Sequence, residues 1–79
     1  MSRTLGSARH KALCALLVAE RKKAKLQQAK LAKKIEQQQS FIARLESGQR
    51  RIDVVEFLEL AEAVGFDPIR ALKKIKAHR

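Results

Sequence analysis

The chain of 79 residues contains little of what builds strands, tight turns or bends. It has one proline and three glycines, and β-branched residues are few. With so few turn formers, the signals for strands and hairpins are almost absent. The composition therefore predicts an all-α protein.

Cysteine and long apolar runs are equally scarce. A single cysteine, Cys14, excludes an internal disulfide, so packing must hold the core, and we expect a half-buried structural thiol. The longest mostly apolar run, Ala12 to Ala19, is far shorter than the roughly 20 residues that a membrane span needs. The N-terminus lacks a signal-peptide cleavage pattern. We expect a cytoplasmic protein without membrane association.

Groups that could perform catalysis or bind a metal are not arranged for either. His10 and His78 lie far apart, without a cluster of cysteines or acids at metal-ligand spacing around them, and we expect both on the surface. No acid–base or nucleophile constellation appears. The sequence therefore predicts neither an enzyme, nor a metal site, nor a cofactor.

Charge is abundant and unevenly placed. Residues 1–52 contain 13 Lys and Arg against 3 acids, and so carry the entire net charge of +10, whereas residues 53–79 are balanced. An excess of this kind favours a surface that faces phosphate, although a solubilising surface would look the same. The length fits one domain, residues 1–79, with a core from about 8 to 76.

Apolar spacing and caps divide the chain into five helices. The first helix should run from about Ser7 to Lys23. The second should span about Gln28–Ile35, and the third about Gln39–Ser47, where Gly48 ends it. Asp53 with Glu56 forms a capping box for the fourth, which Gly65 closes, and Asp67–Pro68 opens the fifth. Residues expected to face inward are Leu13, Leu16, Leu17, Ala24, Leu31, Ala32, Ile35, Ile42 and Leu45.

Helices two and three, residues 28–47, form the pattern of a helix-turn-helix. The apolar faces of the two helices must pack together, which leaves a strip on the third helix without any acid: Gln38, Gln39, Ser40, Ala43 and Arg44. Glutamine can pair with adenine and arginine with guanine in the major groove. The strip therefore has the chemistry of a DNA-reading surface.

From about Leu16 to about Leu72, the chain resembles the lambda-repressor-like family of Cro and repressor proteins, often called the xenobiotic-response-element family. The matching residues are Leu26, Gln28, Leu31–Ala32, Ile35, Ser40, Ile42, Arg44–Leu45–Glu46, Gly48, Arg50–Arg51 and the run from Phe57 to Gly65. The resemblance implies a compact five-helix DNA-binding domain.

The resemblance also assigns roles to individual residues. Gln28 would bind a phosphate at the start of the second helix, and Gln38, Gln39, Ser40 and Arg44 align with base-reading or base-flanking positions. Arg50 and Arg51 align with contacts to the DNA backbone, although solvated loop arginines would look alike. Arg21 and Glu46 align with a structural ion pair. Phe41 could touch DNA, but packing against the loop after Gly48 is the commoner outcome.

Three departures from the family pattern concern the turn and the caps. Glu36 stands where glycine is usual. The residue at that place in the turn often takes a positive φ, which costs a non-glycine residue about 1 kcal/mol. Gln37 replaces an apolar residue. Gln27 and Gln38 replace the Ser, Thr or Asp that normally caps these helices.

A dimeric repressor is the predicted function, because one such unit reads only a few base pairs and specific binding needs two half-sites. The partners would be a two-fold symmetric duplex and a second copy. The candidate dimer interface is an apolar stripe on the fifth helix, together with the end of helix four; the stripe consists of Ile69, Leu72 and Ile75. The same stripe could instead cap the core of the monomer. The alternative is an antitoxin or anti-activator that grips an acidic protein with its basic face.

Overall fold

The structure, a computed structural model, describes residues 6–78. Over these residues it contains five α-helices and no strand: α1 Ala8–Lys23, α2 Gln28–Lys34, α3 Gln39–Glu46, α4 Val54–Val64 and α5 Pro68–Lys76. The predicted all-α fold of five helices is confirmed, and every predicted helix boundary lies within one residue of the observed one.

Side-chain caps start three of the helices. Ser7 accepts a hydrogen bond from the backbone N–H of His10, and Asp67 accepts from those of Ile69 and Arg70. At α4, Asp53 and Glu56 form both hydrogen bonds of the predicted capping box. Gln27 and Gln38 occupy the N-cap positions of α2 and α3 without a side-chain cap hydrogen bond. These two helices therefore depend on packing more than the others do.

Left-handed residues end four of the helices. Gly48 and Gly65 adopt φ of 83° and 97°, which glycine does without steric cost. Glu36 has a φ of 58°, as its place in the turn predicts, and the backbone N–H of Gln37 closes the turn on the Ala32 carbonyl at 2.8 Å. Lys25, at a φ of 59°, is a second non-glycine in this conformation and was not predicted.

One core holds the helix-turn-helix against the rest of the chain. It consists of Leu17, Leu31, Ala32, Ile42, Leu45, Phe57, Leu60 and Ala71. Ile42 and Leu45 of α3 are each 1% exposed, so the inner face of that helix is completely covered. Leu13, Leu16 and Ile35 pack around the core, partly buried. A core of this kind fixes which face of α3 points outward.

Two predictions about α1 are wrong. Ala24, expected inward, is exposed, because α1 ends at Lys23 and the helical periodicity no longer applies to the residue after it. His10, expected on the surface, is 5% exposed. It lies one turn before Cys14 on the inner face of α1, and its Nε2 is 3.6 Å from the thiol Sγ. That contact gives the buried ring a polar partner.

The C-terminal helix buries Ala71 and leaves most of its apolar stripe outside the core, so the stripe does not cap the core. Ala71 is the buried residue of α5, Ile75 is partly buried, and Ile69 and Leu72 are 59% and 47% exposed. Arg9 of α1 holds the end of this helix, since its guanidinium donates to the carbonyl oxygens of Lys76 and His78 at 3.0 and 2.8 Å. Helix α5 is therefore fixed at its end, and two large apolar side chains remain outside the core.

Candidate nucleic-acid interface

The outer face of α3 consists of polar side chains on a rigid support. Gln38, Gln39, Ser40 and Arg44 are all exposed, whereas Ile42 and Leu45 of the same helix are buried. Within the described chain, the Arg44 guanidinium has neither a hydrogen bond nor an ion pair. All the donors of Arg44 can therefore bind a ligand, and the backbone beneath them is fixed by the core.

A line of hydrogen bonds ties this face to the body of the protein. The side-chain amide of Gln39 donates from Nε2 to Oε1 of Gln28 at 3.2 Å. Gln28 in turn donates from its own Nε2 to Oε1 of Glu46 at 2.9 Å. The line links the start of α3, the start of α2 and the end of α3. It holds the exposed Gln39 amide in one orientation.

The Arg21–Glu46 ion pair lies at the inner end of that line, since Glu46 is its last acceptor. Arg21 Nε lies 2.6 Å from Glu46 Oε2, and Nη2 lies 2.9 Å from Oε1, while Nη1 donates to the Leu26 carbonyl at 2.8 Å. The two side chains are 11% and 8% exposed. The hydrogen bonding of Arg21 to the Glu46 carboxylate raises the pKa of Arg21 above its usual value. The predicted pair does form, and it fastens the end of α3 to α1.

Arg50 and Arg51, predicted together as contacts to phosphate, differ in the structure. Arg50 makes two hydrogen bonds to the Glu56 carboxylate, at 3.0 and 2.8 Å, and a third to the Arg51 carbonyl. Its guanidinium carbon lies 4.5 Å from the centre of the Phe41 ring. The exposed Arg51 side chain has no such partner among residues 6–78.

The Arg50 contacts also show where Phe41 lies. The ring packs against the loop that follows Gly48, which was the commoner of its two expected positions. The hydrogen bond from Arg50 holds the pKa of Glu56 below its ordinary value, and the same bond raises the pKa of Arg50. The loop between α3 and α4 is thus braced on both sides.

The thiol of Cys14 lies close to the end of α3. A Cβ placed on Gly48 would lie 4.0 Å from Cys14 Sγ, and the thiol is 5% exposed, so it is buried rather than half-buried. Burial raises its pKa, which disfavours the reactive thiolate. The residue acts as a small apolar spacer between α1 and the C-terminus of α3.

Over the residues that the structure describes, no three His, Cys, Asp or Glu side chains come together as a metal site. In the same part of the chain, none of the helices has the length and apolar character to cross a bilayer.

Several contacts between elements were not predicted from the sequence. The hydrogen bond from Gln28 to Glu46, the pairing of Arg50 with Glu56 and the hold of Arg9 on α5 all join residues on different elements. None of them follows a helical period. The one available signal was Glu56, an acid six residues beyond Arg50, and the capping box already accounted for it.

Comparison with known proteins agrees with this geometry. The sequence model of a helix-turn-helix family of the Cro/C1 type matches residues 17–69. A solved structure, an XRE-family like protein from Pseudomonas syringae pv. tomato str. DC3000, superposes with a TM-score of 0.84 at 38% identity, over 89% of this chain and 85% of that one. No curated protein matches the sequence.

The fold and the exposed polar face of α3 define a helix-turn-helix DNA-binding domain. The chain belongs to the Cro/C1-type helix-turn-helix family, whose members are DNA-binding transcription regulators.

Proposed function

We propose that the protein is a dimeric, cytoplasmic repressor that recognises a specific DNA sequence by placing α3 in the major groove. The observation that carries this proposal is the outer face of α3, where an oriented amide, Gln39, and an unpaired guanidinium, Arg44, are both exposed five residues apart. Gln39 presents an acceptor and a donor that match adenine N6 and N7, and Arg44 presents donors that match guanine N7 and O6.

The neighbouring positions support a contact to the DNA backbone. Gln28 opens α2, whose first turn contains no acid, and its amide keeps one N–H beyond the bond to Glu46. A phosphate placed there would also meet the free backbone N–H groups of the helix start. Gln38 and Ser40 would add base or phosphate contacts at the start of α3. Contacts of this kind position the protein on the duplex.

Arg50 and Arg51 would share the second backbone contact unequally. The bonds to Glu56 and to the Arg51 carbonyl use three N–H groups of Arg50, so two remain for a phosphate. All five of Arg51 remain. We expect Arg51 to contribute more to the affinity and Arg50 to act mainly by holding the loop.

Exposed apolar side chains support a dimer. Ile69 and Leu72 on α5 and Val54, Val55 and Leu58 on α4 are 43–73% exposed. The α4 members lie at the start of that helix rather than at its end. Ile75, partly buried, would lie at the margin of the interface. A second copy that covered these side chains would place two α3 helices on two half-sites, as sequence-specific binding by so small a unit requires.

The test is selection from a random duplex library with the purified protein, followed by sequencing of the bound pool. A two-fold symmetric motif, with half-sites about one helical turn apart, is the expected result. The absence of any enriched motif would contradict the proposal. It would favour the rival function, an antitoxin or anti-activator whose basic face binds an acidic protein.

Two variants sharpen the test on the selected duplex. Arg44→Ala should cost about 1–3 kcal/mol and relax the preference at one base position. Arg51→Ala should weaken all sequences alike and reduce the salt dependence of the affinity by about one phosphate contact. Both are measured by titration over a range of salt. Uniform losses for both variants would contradict the role of α3.

A further inference from the structure

The line of hydrogen bonds behind α3 has a direction that chemistry fixes at one end. An ionised carboxylate accepts hydrogen bonds and donates none. Because Glu46 Oε1 is the partner of Gln28, the group of Gln28 that faces it must be the amino group. The carbonyl oxygen of Gln28 therefore points the other way, toward Gln39.

The exposed Gln39 is oriented in the same way. Because it faces the carbonyl oxygen of Gln28, Gln39 must turn its own amino group toward Gln28, and Nε2 of Gln39 lies 3.2 Å from Oε1 of Gln28. The positions of the Gln39 carbonyl oxygen and of its second N–H are then set relative to the protein. From these contacts, we infer that Glu46 is a positioning residue for base specificity, which selects the amide orientation of Gln39 through Gln28.

The orientation matters because the two ends of an amide are chemically opposite. A carbonyl oxygen opposite adenine N6 accepts its hydrogen, and the adjacent N–H donates to N7. If the amide of Gln39 turned over, a donor would stand opposite N6. The carbonyl oxygen would then face N7, which is also an acceptor, so neither hydrogen bond to adenine could form. The carboxylate at the end of α3 thus acts on a base that it never touches.

Glu46 is well placed for this role because Arg21 keeps its carboxylate in position. Two hydrogen bonds from the guanidinium, at 2.6 and 2.9 Å, use both carboxylate oxygens. The side chain is 8% exposed, so little water can compete for Gln28. The inference rests on the proposed role of α3 as the reading helix.

Glu46→Gln should reverse the donor–acceptor direction of the hydrogen bonds from residue 46 through Gln28 to Gln39, with almost no change in side-chain shape. The stronger contact of Arg21, at 2.6 Å to Oε2, favours the amide oxygen at that position, which turns the amino group toward Gln28. Gln28 then presents its carbonyl to residue 46 and its amino group to Gln39. We expect the adenine preference at the position read by Gln39 to fall by about tenfold.

The experiment compares the selected base preferences of five proteins: the wild type, Glu46→Gln, Gln28→Leu, Glu56→Gln and Gln39→Ala. Gln28→Leu removes the link and leaves the Arg21–Glu46 pair intact, so it tests the inference even if Glu46→Gln unfolds. Glu56→Gln is the matched control, because Glu56 also pairs with an arginine but contacts neither Gln28 nor Gln39. Gln39→Ala identifies the base position, and thermal melts show that each variant is folded.

The outcomes separate this inference from the proposed function. A change at the Gln39 position alone in Glu46→Gln and Gln28→Leu, with an unchanged profile in Glu56→Gln, is the expected result. A wild-type motif that persists unchanged in both variants, with only a uniform loss of affinity, would overturn the inference and leave the function standing. A wild type that selects no motif would overturn the proposed function itself.

Discussion

The ion pairs Arg21–Glu46 and Arg50–Glu56 are built alike but lie in different surroundings. Each joins a guanidinium to both oxygens of one carboxylate. The side chains of the first are 11% and 8% exposed and those of the second 35% and 21%. We call them the inner pair and the outer pair. The inner pair joins the end of α3 to α1, whereas the outer pair lies beside the loop between α3 and α4.

Burial decides what each pair contributes. Removing one partner of a buried pair leaves a charge without compensation, whereas an exposed pair competes with water and contributes little. The inner pair is also linked through Gln28 to the exposed Gln39 on α3. The same chemical unit can therefore orient a functional helix in one place and only reinforce a loop in another.

Arg21→Ala should have the largest effect on stability. It leaves the Glu46 carboxylate buried without its ion partner, and the free energy of unfolding should fall by about 3–5 kcal/mol. Denaturation with urea measures the change. A loss below 1 kcal/mol would mean that the inner pair is no more important than an exposed one.

Arg50→Ala provides the comparison for the outer pair. It removes a partly exposed ion pair and the contact with the Phe41 ring, and keeps the capping box of α4. We expect a loss of about 1 kcal/mol, measured in the same way. A loss as large as that for Arg21→Ala would abolish the distinction between the two pairs.

Glu36→Gly changes the helix-turn-helix without touching either pair. A non-glycine residue in the left-handed conformation costs about 1–2 kcal/mol, which glycine does not incur. Because glycine loses more backbone entropy on folding, only part of this is recovered, and the free energy of unfolding should rise by about 0.5–1 kcal/mol. The thermal midpoint should rise. Combined with Arg50→Ala, the two changes should add, because they share no contact; a clear departure from additivity would show that turn and loop are coupled.

The smallest of the four expected effects on stability is the weakening of the outer pair by acid. Since the Arg50 hydrogen bond lowers the pKa of Glu56 from its ordinary value of 4.5, the stabilisation is fully present above that value and is lost as the pH falls through the lower pKa of the folded chain. The stability difference between the wild type and Glu56→Gln should shrink from pH 7 to pH 3. A difference that stays constant would contradict the assignment.

Local features made most of the fold predictable. Asp53 with Glu56, Asp67–Pro68 and Gly48 mark helix ends through hydrogen bonds or backbone conformations within a few residues. The positive φ of Glu36 was expected from the resemblance to the family, in which glycine is usual at that place in the turn. The exposed strip of α3 followed from the spacing of Ile42 and Leu45.

Contacts between distant residues were not predictable from periodicity. Which face α5 buries depends on how it meets α1, where Arg9 holds its last carbonyls, and the stripe of Ile69, Leu72 and Ile75 carries no information about that contact. The burial of His10 likewise depends on its contact with Cys14 and on packing against other helices. Glu46 was predicted to pair with Arg21, but its bond to Gln28 required the folded chain.

Methylation interference on the selected duplex tests the central claim, that α3 reads base edges in the major groove, most directly. Methyl groups are placed on guanine N7, in the major groove, or on adenine N3, in the minor groove, and bound and free DNA are compared. The account predicts interference at one guanine N7 in each half-site, lost in Arg44→Ala. Interference confined to adenine N3, or an Arg44→Ala pattern identical to that of the wild type, would contradict it.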